Sequence, residues 1–193
     1  MSWIKNRLNY DVYMVKRIER YHRLFHTGSG LKRFWGKYLF NRTKRICSCN
    51  IFPTVELGRN IYIAHPVNIT LGETSVLGDN IMIYPGVQLV SNFASKARVD
   101  GRRHPKIEDN CVLCVNSIVI GAITVGRNSI VAAGAIVTRD VPENTVVTGV
   151  NQYRPNRYEN VDFLIELSQN TNRERIMRFD GQRLRGMTTS GAS

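Results

Sequence analysis

The sequence predicts an all-β solenoid, a coil of short stacked strands, preceded by a short α-helical arm. Three observations carry this: a six-residue repeat over most of residues 49–146, helical spacing within the first 48 residues, and a composition able to build a core. The chain has 193 residues, 42% hydrophobic and 22% charged, with 15 Gly and 6 Pro. That suits one domain with an appendage and excludes collagen-like and wholly disordered classes.

The arm comes first. Ile4, Leu8, Val12, Val15, Ile18, Tyr21 and Phe25 recur by threes and fours, which predicts a helix over 3–26. Gly28-Ser29-Gly30 ends it, and Leu31 to about Thr43 reads as a second helix. The arm, residues 1–48, holds 12 Lys and Arg against Asp11 and Glu19, and 9 of the 17 aromatic residues. Most of the net charge of +12 therefore sits there. A helical cap over the first coil, with oligomer contacts, is the leading reading of this arm. Contact with an anionic membrane through residues 1–45 is the second, and nucleic acid has no motif behind it beyond charge.

The solenoid follows, over 49–150. Its hexads begin CNIFPT, VELGRN, IYIAHP, with Val67-Asn68 read as an insertion, and continue through ITLGET, SVLGDN, IMIYPG and VQLVSN. After an irregular loop at 93–104 they resume as PKIEDN, CVLCVN, SIVIGA, ITVGRN, SIVAAG and AIVTRD. Only VPENTV, with Glu143 in third place, breaks the pattern. Strand side chains alternate, so the apolar or small first and third places share one side, facing inward. Gly, Asp, Asn and Arg in the later places allow a corner. Three sides close one triangular turn, giving four to five coils of about 4.8 Å each. Residues 151–193 form a tail, with one short helix expected over 161–167 and a frayed end.

Some functions are excluded here. The longest apolar run, Ile130 to Val137, is far below the roughly 18 residues of a membrane span. The start of the chain lacks a secretory pattern, so a cytoplasmic location is expected, on the inner face of the membrane if the arm binds there. The four cysteines are then thiols. Cys49 and Cys111 occupy interior first places, Cys114 points elsewhere, and neither Cys47-Ser48-Cys49 nor Cys111 to Cys114 is read as a metal site. A metal enzyme on such a coil would need a further histidine in the hexads, so no metal is expected.

A solenoid is mostly scaffold, so chemistry is sought where the repeat is interrupted. The insertion beside Ile63-Ala64-His65-Pro66 and the loop ending Gly101-Arg102-Arg103-His104-Pro105 each deliver a histidine there. These motifs, with Leu71-Gly72-Glu73-Thr74 and the closing Val141-Pro142-Glu143-Asn144-Thr145, resemble the hexapeptide-repeat acyltransferases, within them the serine acetyltransferase-like branch. The resemblance covers about residues 48–150 and implies a left-handed parallel β-helix, assembled as trimers or paired trimers, with acetyl-CoA between neighbouring subunits. It further implies that His65 is the general base, that His104 binds or polarises the acceptor, and that Arg103 reads it. Backbone along Cys114-Val115 and Ala132-Ala133-Gly134 would then form the CoA side.

The departures from that family are as informative. Asn50 stands where those enzymes carry the Asp that orients the base, so it is expected to accept the imidazole N–H or leave another carboxylate to do so. Ala64 replaces an Asp that contacts an amino-acid acceptor, and Ile130 a Lys near the CoA phosphates. These changes point to O-acetylation of a saccharide hydroxyl in cell-surface polysaccharide synthesis. Serine O-acetylation in cysteine biosynthesis is the alternative, and a non-catalytic membrane-surface or oligomerisation module is the second alternative.

Overall fold

The computed structural model describes residues 10–92, 101–156 and 176–177. The loop at 93–100, the start of the first expected helix at 3–9 and the tail helix expected over 161–167 lie outside the described residues.

Among the described residues two helices precede the coil: α1, Tyr10–Thr27, and α2, Gly30–Cys47. The second runs four residues past its expected end at Thr43. Its register keeps Gly36, Thr43 and Cys47 on one buried side, and Ser48 in the left-handed conformation caps it, its N–H bonded to Lys44 O.

Among the described residues fourteen short strands follow in the order of the hexads. The first face stacks β1 (Asn50–Ile51), β4 (Thr70–Leu71), β7 (Gln88–Val90), β10 (Ile118–Ile120) and β13 (Ile136–Val137). The second stacks β2 (Glu56–Leu57), β5 (Val76–Leu77), β8 (Lys106–Ile107) and β11 (Thr124–Val125). The third stacks β3 (Ile61–Ile63), β6 (Met82–Ile83), β9 (Val112–Leu113), β12 (Ile130–Val131) and β14 (Thr145–Thr148). All these neighbours are parallel and in register, as in Ile51 opposite Leu71 and Leu77 opposite Ile107. Two antiparallel strands flank the third face, β15 (Gln152–Pro155) on β14 and β16 (Ile176–Met177) on β3.

The inward column matches the hexad rule. Ile51, Ile63, Leu71, Ile83, Leu89, Ile107, Leu113, Val119, Val125, Val131 and Val137 are all fully buried. So are first-place Ile61, Ile69, Ile81, Cys111 and Ala135. Corners use asparagine in the left-handed region, with Asn60, Asn80 and Asn110 at φ 57 to 58. Their amides bond coil to coil, Asn60 Nδ2 to Asn80 Oδ1 at 2.8 Å and Asn80 Nδ2 to Asn110 Oδ1 at 2.9 Å. One feature was not read from the repeat: on the third face the outward places are apolar too. Tyr62, Met82, Val112 and Ile130 form a second buried cluster there with Ala64.

The arm caps the first coil, which is the first part of its leading reading. Met14, Val15, Ile18 and Tyr21 of α1 join the core with Ile51 and Val55. The open strand edge below them is satisfied by side chains: Tyr21 OH donates to Ile51 O at 2.6 Å, and His22 Nε2 lies 2.8 Å from Val55 O. Unpaired edges are otherwise templates for aggregation, so this cap closes one end of the coil.

Candidate functional site

The edge where the third face turns into the first carries His65. In later coils this corner is tight, with Gly86 N bonded to Val67 O, Asn116 N to Pro85 O, and Gly134 N to Val115 O. Val67 therefore matches Pro85, Val115 and Ala133. Ala64 in turn matches Tyr84, Cys114 and Ala132, since the N–H groups of Ala64, Tyr84 and Cys114 bond to Ile83, Leu113 and Val131. The extra pair is thus His65-Pro66, not Val67-Asn68 as the hexad phasing suggested. His65 is itself the bulge, at φ 51, a conformation uncommon for a residue with a side chain.

The ring so projected meets a carboxylate from the arm: His65 Nδ1 lies 2.7 Å from Asp11 Oδ2. An ionised carboxylate only accepts, so Nδ1 carries the hydrogen and Nε2 keeps its lone pair. The His65 side chain is 58% exposed and that of Asp11 16%. Of the two expectations at Asn50 the structure shows the second, another carboxylate on the imidazole, and Asn50 Oδ1 is buried without a hydrogen-bond partner among the described residues. A carboxylate holds the basic tautomer and also stabilises the imidazolium, which an amide cannot. Asp11 was not singled out in the sequence, although it is one of only two acidic residues in the arm.

His104 stands on a different edge, between the first and second faces, just ahead of β8. Thr74 Oγ1 accepts the N–H groups of Arg103 and His104, at 2.9 and 3.1 Å. Its own hydroxyl hydrogen is then directed to His104 Nδ1, 2.9 Å away, and the Thr74 N–H points at the same nitrogen from 3.3 Å. With Nδ1 accepting, the ring hydrogen is on Nε2. Burial lowers the His104 pKa below the ordinary imidazole value, Arg103 lowers it further, and Glu73 opposes both. A Cβ on Gly72 would collide with the His104 ring, so the glycine makes room for it. Thr74 and Gly72 belong to the Leu71-Gly72-Glu73-Thr74 run, but their service to His104 is visible only in three dimensions.

The other expected residues divide between these edges. Cys114, Val115, Ala132, Ala133 and Gly134 share the His65 edge, one above another in successive coils. The coil-to-coil ladder engages the N–H groups of Cys114, Ala132 and Gly134, leaving those of Val115 and Ala133 out of it. Gly134, at φ 68, has open space where a Cβ would stand. Ala64 is only 5% exposed, packed into the apolar cluster of the third face, and presents no side chain to a substrate. Arg103 is exposed beside His104. A groove of about 350 Å³ on the second face, lined by Glu56, Lys106, Glu108 and Arg127 among others, contains none of the expected site residues. Among the described residues no three His, Cys, Asp or Glu side chains are grouped to hold a metal.

The hexapeptide-repeat model described from succinyl-transferases matches residues 106–139. The serine acetyltransferase of Bacillus licheniformis is 35% identical over 130 residues, 67% of this chain and 58% of that protein. By its repeat domain, this chain belongs to the hexapeptide-repeat acyltransferases of the serine acetyltransferase type. The serine acetyltransferase of Brucella abortus, solved with coenzyme A, superposes with a TM-score of 0.63 at 31% identity, over 73% of this chain and 53% of that one. That of Neisseria gonorrhoeae, solved with serine, gives 0.62 at 32% identity, over 74% and 55%. The coil is the left-handed parallel β-helix of these neighbours. The chain spans little more than half the length of these three relatives.

Proposed function

We propose that the chain transfers the acetyl group of acetyl-CoA to a hydroxyl, with Asp11 and His65 as the base pair and His104 supplied by a second copy. The observation that carries this is the Asp11–His65 contact, which leaves Nε2 as an exposed proton acceptor. His65 Nε2 takes the hydroxyl proton as the oxygen bonds to the thioester carbonyl carbon. The carbonyl electrons move onto oxygen, and their return breaks the carbon–sulfur bond. His65 then passes its proton to the departing thiolate. Asp11 stabilises the imidazolium between these steps. The Val115 and Ala133 N–H groups, on the same edge and outside the ladder, are suited to the oxyanion.

His104 has the complementary tautomer, with Nε2–H free to donate to the acceptor. One chain holds the two histidines on separate edges divided by the first face, so a site using both joins the His65 edge of one copy to the His104 edge of another. A cyclic trimer repeats that junction three times. The small side chains of Ala132 and Ala133 and the open space at Gly134 suit an extended CoA arm lying along the edge.

L-serine is the acceptor that the relatives' names favour. A saccharide hydroxyl is the second reading, favoured by the apolar, buried Ala64, which offers no countercharge to an ammonium. Thiol release from acetyl-CoA, measured with L-serine and separately with nucleotide sugars and polysaccharide fragments, tests both. Turnover lost in His65→Ala supports the mechanism, and the active acceptor selects the class. No turnover with any acceptor would sink the proposal in favour of a non-catalytic module.

A further inference from the structure

Helix α2 packs on the molecule with one side and leaves the opposite side bare. Gly36, Thr43 and Cys47 are buried, and Leu39 and Phe40 pack against the core. At 100° per residue the far side carries Leu31, Phe34 and Tyr38, with Trp35 beside them and Arg42 and Arg45 continuing the stripe. Leu31 is 71% exposed, Phe34 63%, Trp35 50% and Tyr38 44%. The rings support one another edge-on, Phe34 on Trp35 at 6.3 Å and Trp35 on Tyr38 at 5.5 Å. Lone exposed apolar residues need no explanation, but four in one stripe on one helix do.

The charge on this helix narrows the choice of occupant. Residues 30–47 contain Lys32, Arg33, Lys37, Arg42, Lys44 and Arg45 and no acidic residue. Lys44 and Arg45 suit the C-terminal end of a helix dipole, but Lys32 and Arg33 stand in the first turn, where a cation is disfavoured. The Arg33 guanidinium already lies over the Phe25 ring of α1, 5.1 Å from its centroid, so the cations that continue the bare stripe, Arg42 and Arg45, are the ones that an outside occupant would meet. A second copy docked through the same face would meet this cationic surface with an equally cationic one. A nucleic acid would stack on open ring faces, whereas here the rings meet edge-on at 77° and 87°, and the most exposed member, Leu31, has no ring. An anionic bilayer answers both features: its acyl boundary takes Leu31, Phe34 and Trp35, and its phosphates take the flanking cations.

We infer that the outer face of α2 is a docking surface for an anionic lipid bilayer, holding the coil at the membrane without spanning it. Among the described residues no helix is long and apolar enough to cross a membrane, so this contact is peripheral. It does not depend on the acetyl-transfer reading, since α2 contributes no residue to that site.

The experiment uses the full chain carrying Trp3→Phe, which leaves Trp35 as the sole tryptophan. Vesicles of phosphatidylcholine alone, and of phosphatidylcholine with phosphatidylglycerol, are read by co-sedimentation and by Trp35 emission. Binding with a blue shift on the anionic vesicles only, weakened by added salt, is expected. Leu31→Ser/Phe34→Ser and Arg42→Glu/Arg45→Glu should each weaken it by at least about 10-fold, with unchanged melting and unchanged acetyl-CoA turnover in the absence of lipid. Equal binding to neutral vesicles, no binding, or indifference to both variants overturns the inference. A Trp35 shift that grows with protein concentration without lipid overturns it in favour of a second copy. A single-stranded oligonucleotide that binds while vesicles do not overturns it in favour of nucleic acid.

Discussion

Asp11 Oδ2 and His65 Nδ1 lie 2.7 Å apart across 54 positions of sequence, joining the helical arm to the coil at the residue proposed as base. The arm is therefore part of the site as well as a cap. Asp11→Asn should lower kcat by about 10² or more, since an amide can hold the wrong tautomer and cannot offset the imidazolium. Because His65 is largely exposed, the same change should cost no more than about 1 kcal/mol of stability. Asn50→Ala should leave kcat nearly unchanged. Steady-state kinetics beside thermal melts check this, and a large loss in Asn50→Ala with an active Asp11→Asn would reverse the assignment.

The cradle of His104 gives a second test. Thr74→Val removes the acceptor of the exposed Arg103 N–H and the half-buried His104 N–H, at a cost of about 0.5–1.5 kcal/mol, and releases the ring tautomer. Gly72→Ala pushes the ring from its place, because the added methyl falls on it. Turnover should drop in both, whereas Gly101→Ala, beside open space at φ 77, should cost only what its backbone strain costs. Full activity in Gly72→Ala would mean that His104 does not act from this position.

Sharing of the site between copies predicts complementation. His65→Ala and His104→Ala should each be inactive alone. Chains denatured, mixed in equal amounts and refolded should regain about a quarter of the wild-type rate, since each junction draws its two edges independently. Failure to regain activity, with mixed assemblies demonstrated, would place both histidines' work within one chain.

Acid should loosen the cap on the first coil. Burial, aided by the neighbouring His26, lowers the His22 pKa to about 3, against about 6.5 in an unfolded chain. Above the unfolded value both states are neutral and the cap has its full stability. As pH falls from 6.5 toward 3 only the unfolded state takes up the proton, so stability is lost at up to about 1.4 kcal/mol per pH unit. His26, also lowered by burial, adds a loss of the same sign. Denaturant melts between pH 7 and 4 should show this slope, and His22→Gln should flatten it.

The coil was legible in the sequence because its rule is local. Alternation and a bend every six residues place Ile51, Leu71, Leu89, Val119 and Val137 inside whatever their neighbours are, and the histidines stood out as the two interruptions. The arm's role as a cap followed from Tyr21 and Ile18 at core spacing. Which residues of the third face were covered outwardly, as Tyr62 and Met82 are, did not follow, since no six-residue rule fixes the second place.

What only the tertiary structure decided was the partner and proton position of each histidine. Asp11 meets His65 because α1 lies across the first coil, a packing direction that no spacing records. The backbone bonds of Ala64 and Val67 showed His65-Pro66 to be the inserted pair, where phasing by residue type had chosen Val67-Asn68. Thr74 supplies an acceptor for two N–H groups and turns its hydrogen to His104, leaving the two rings with opposite tautomers. Sequence fixes which atoms a side chain owns, and only the surrounding donors and acceptors decide which nitrogen keeps the hydrogen.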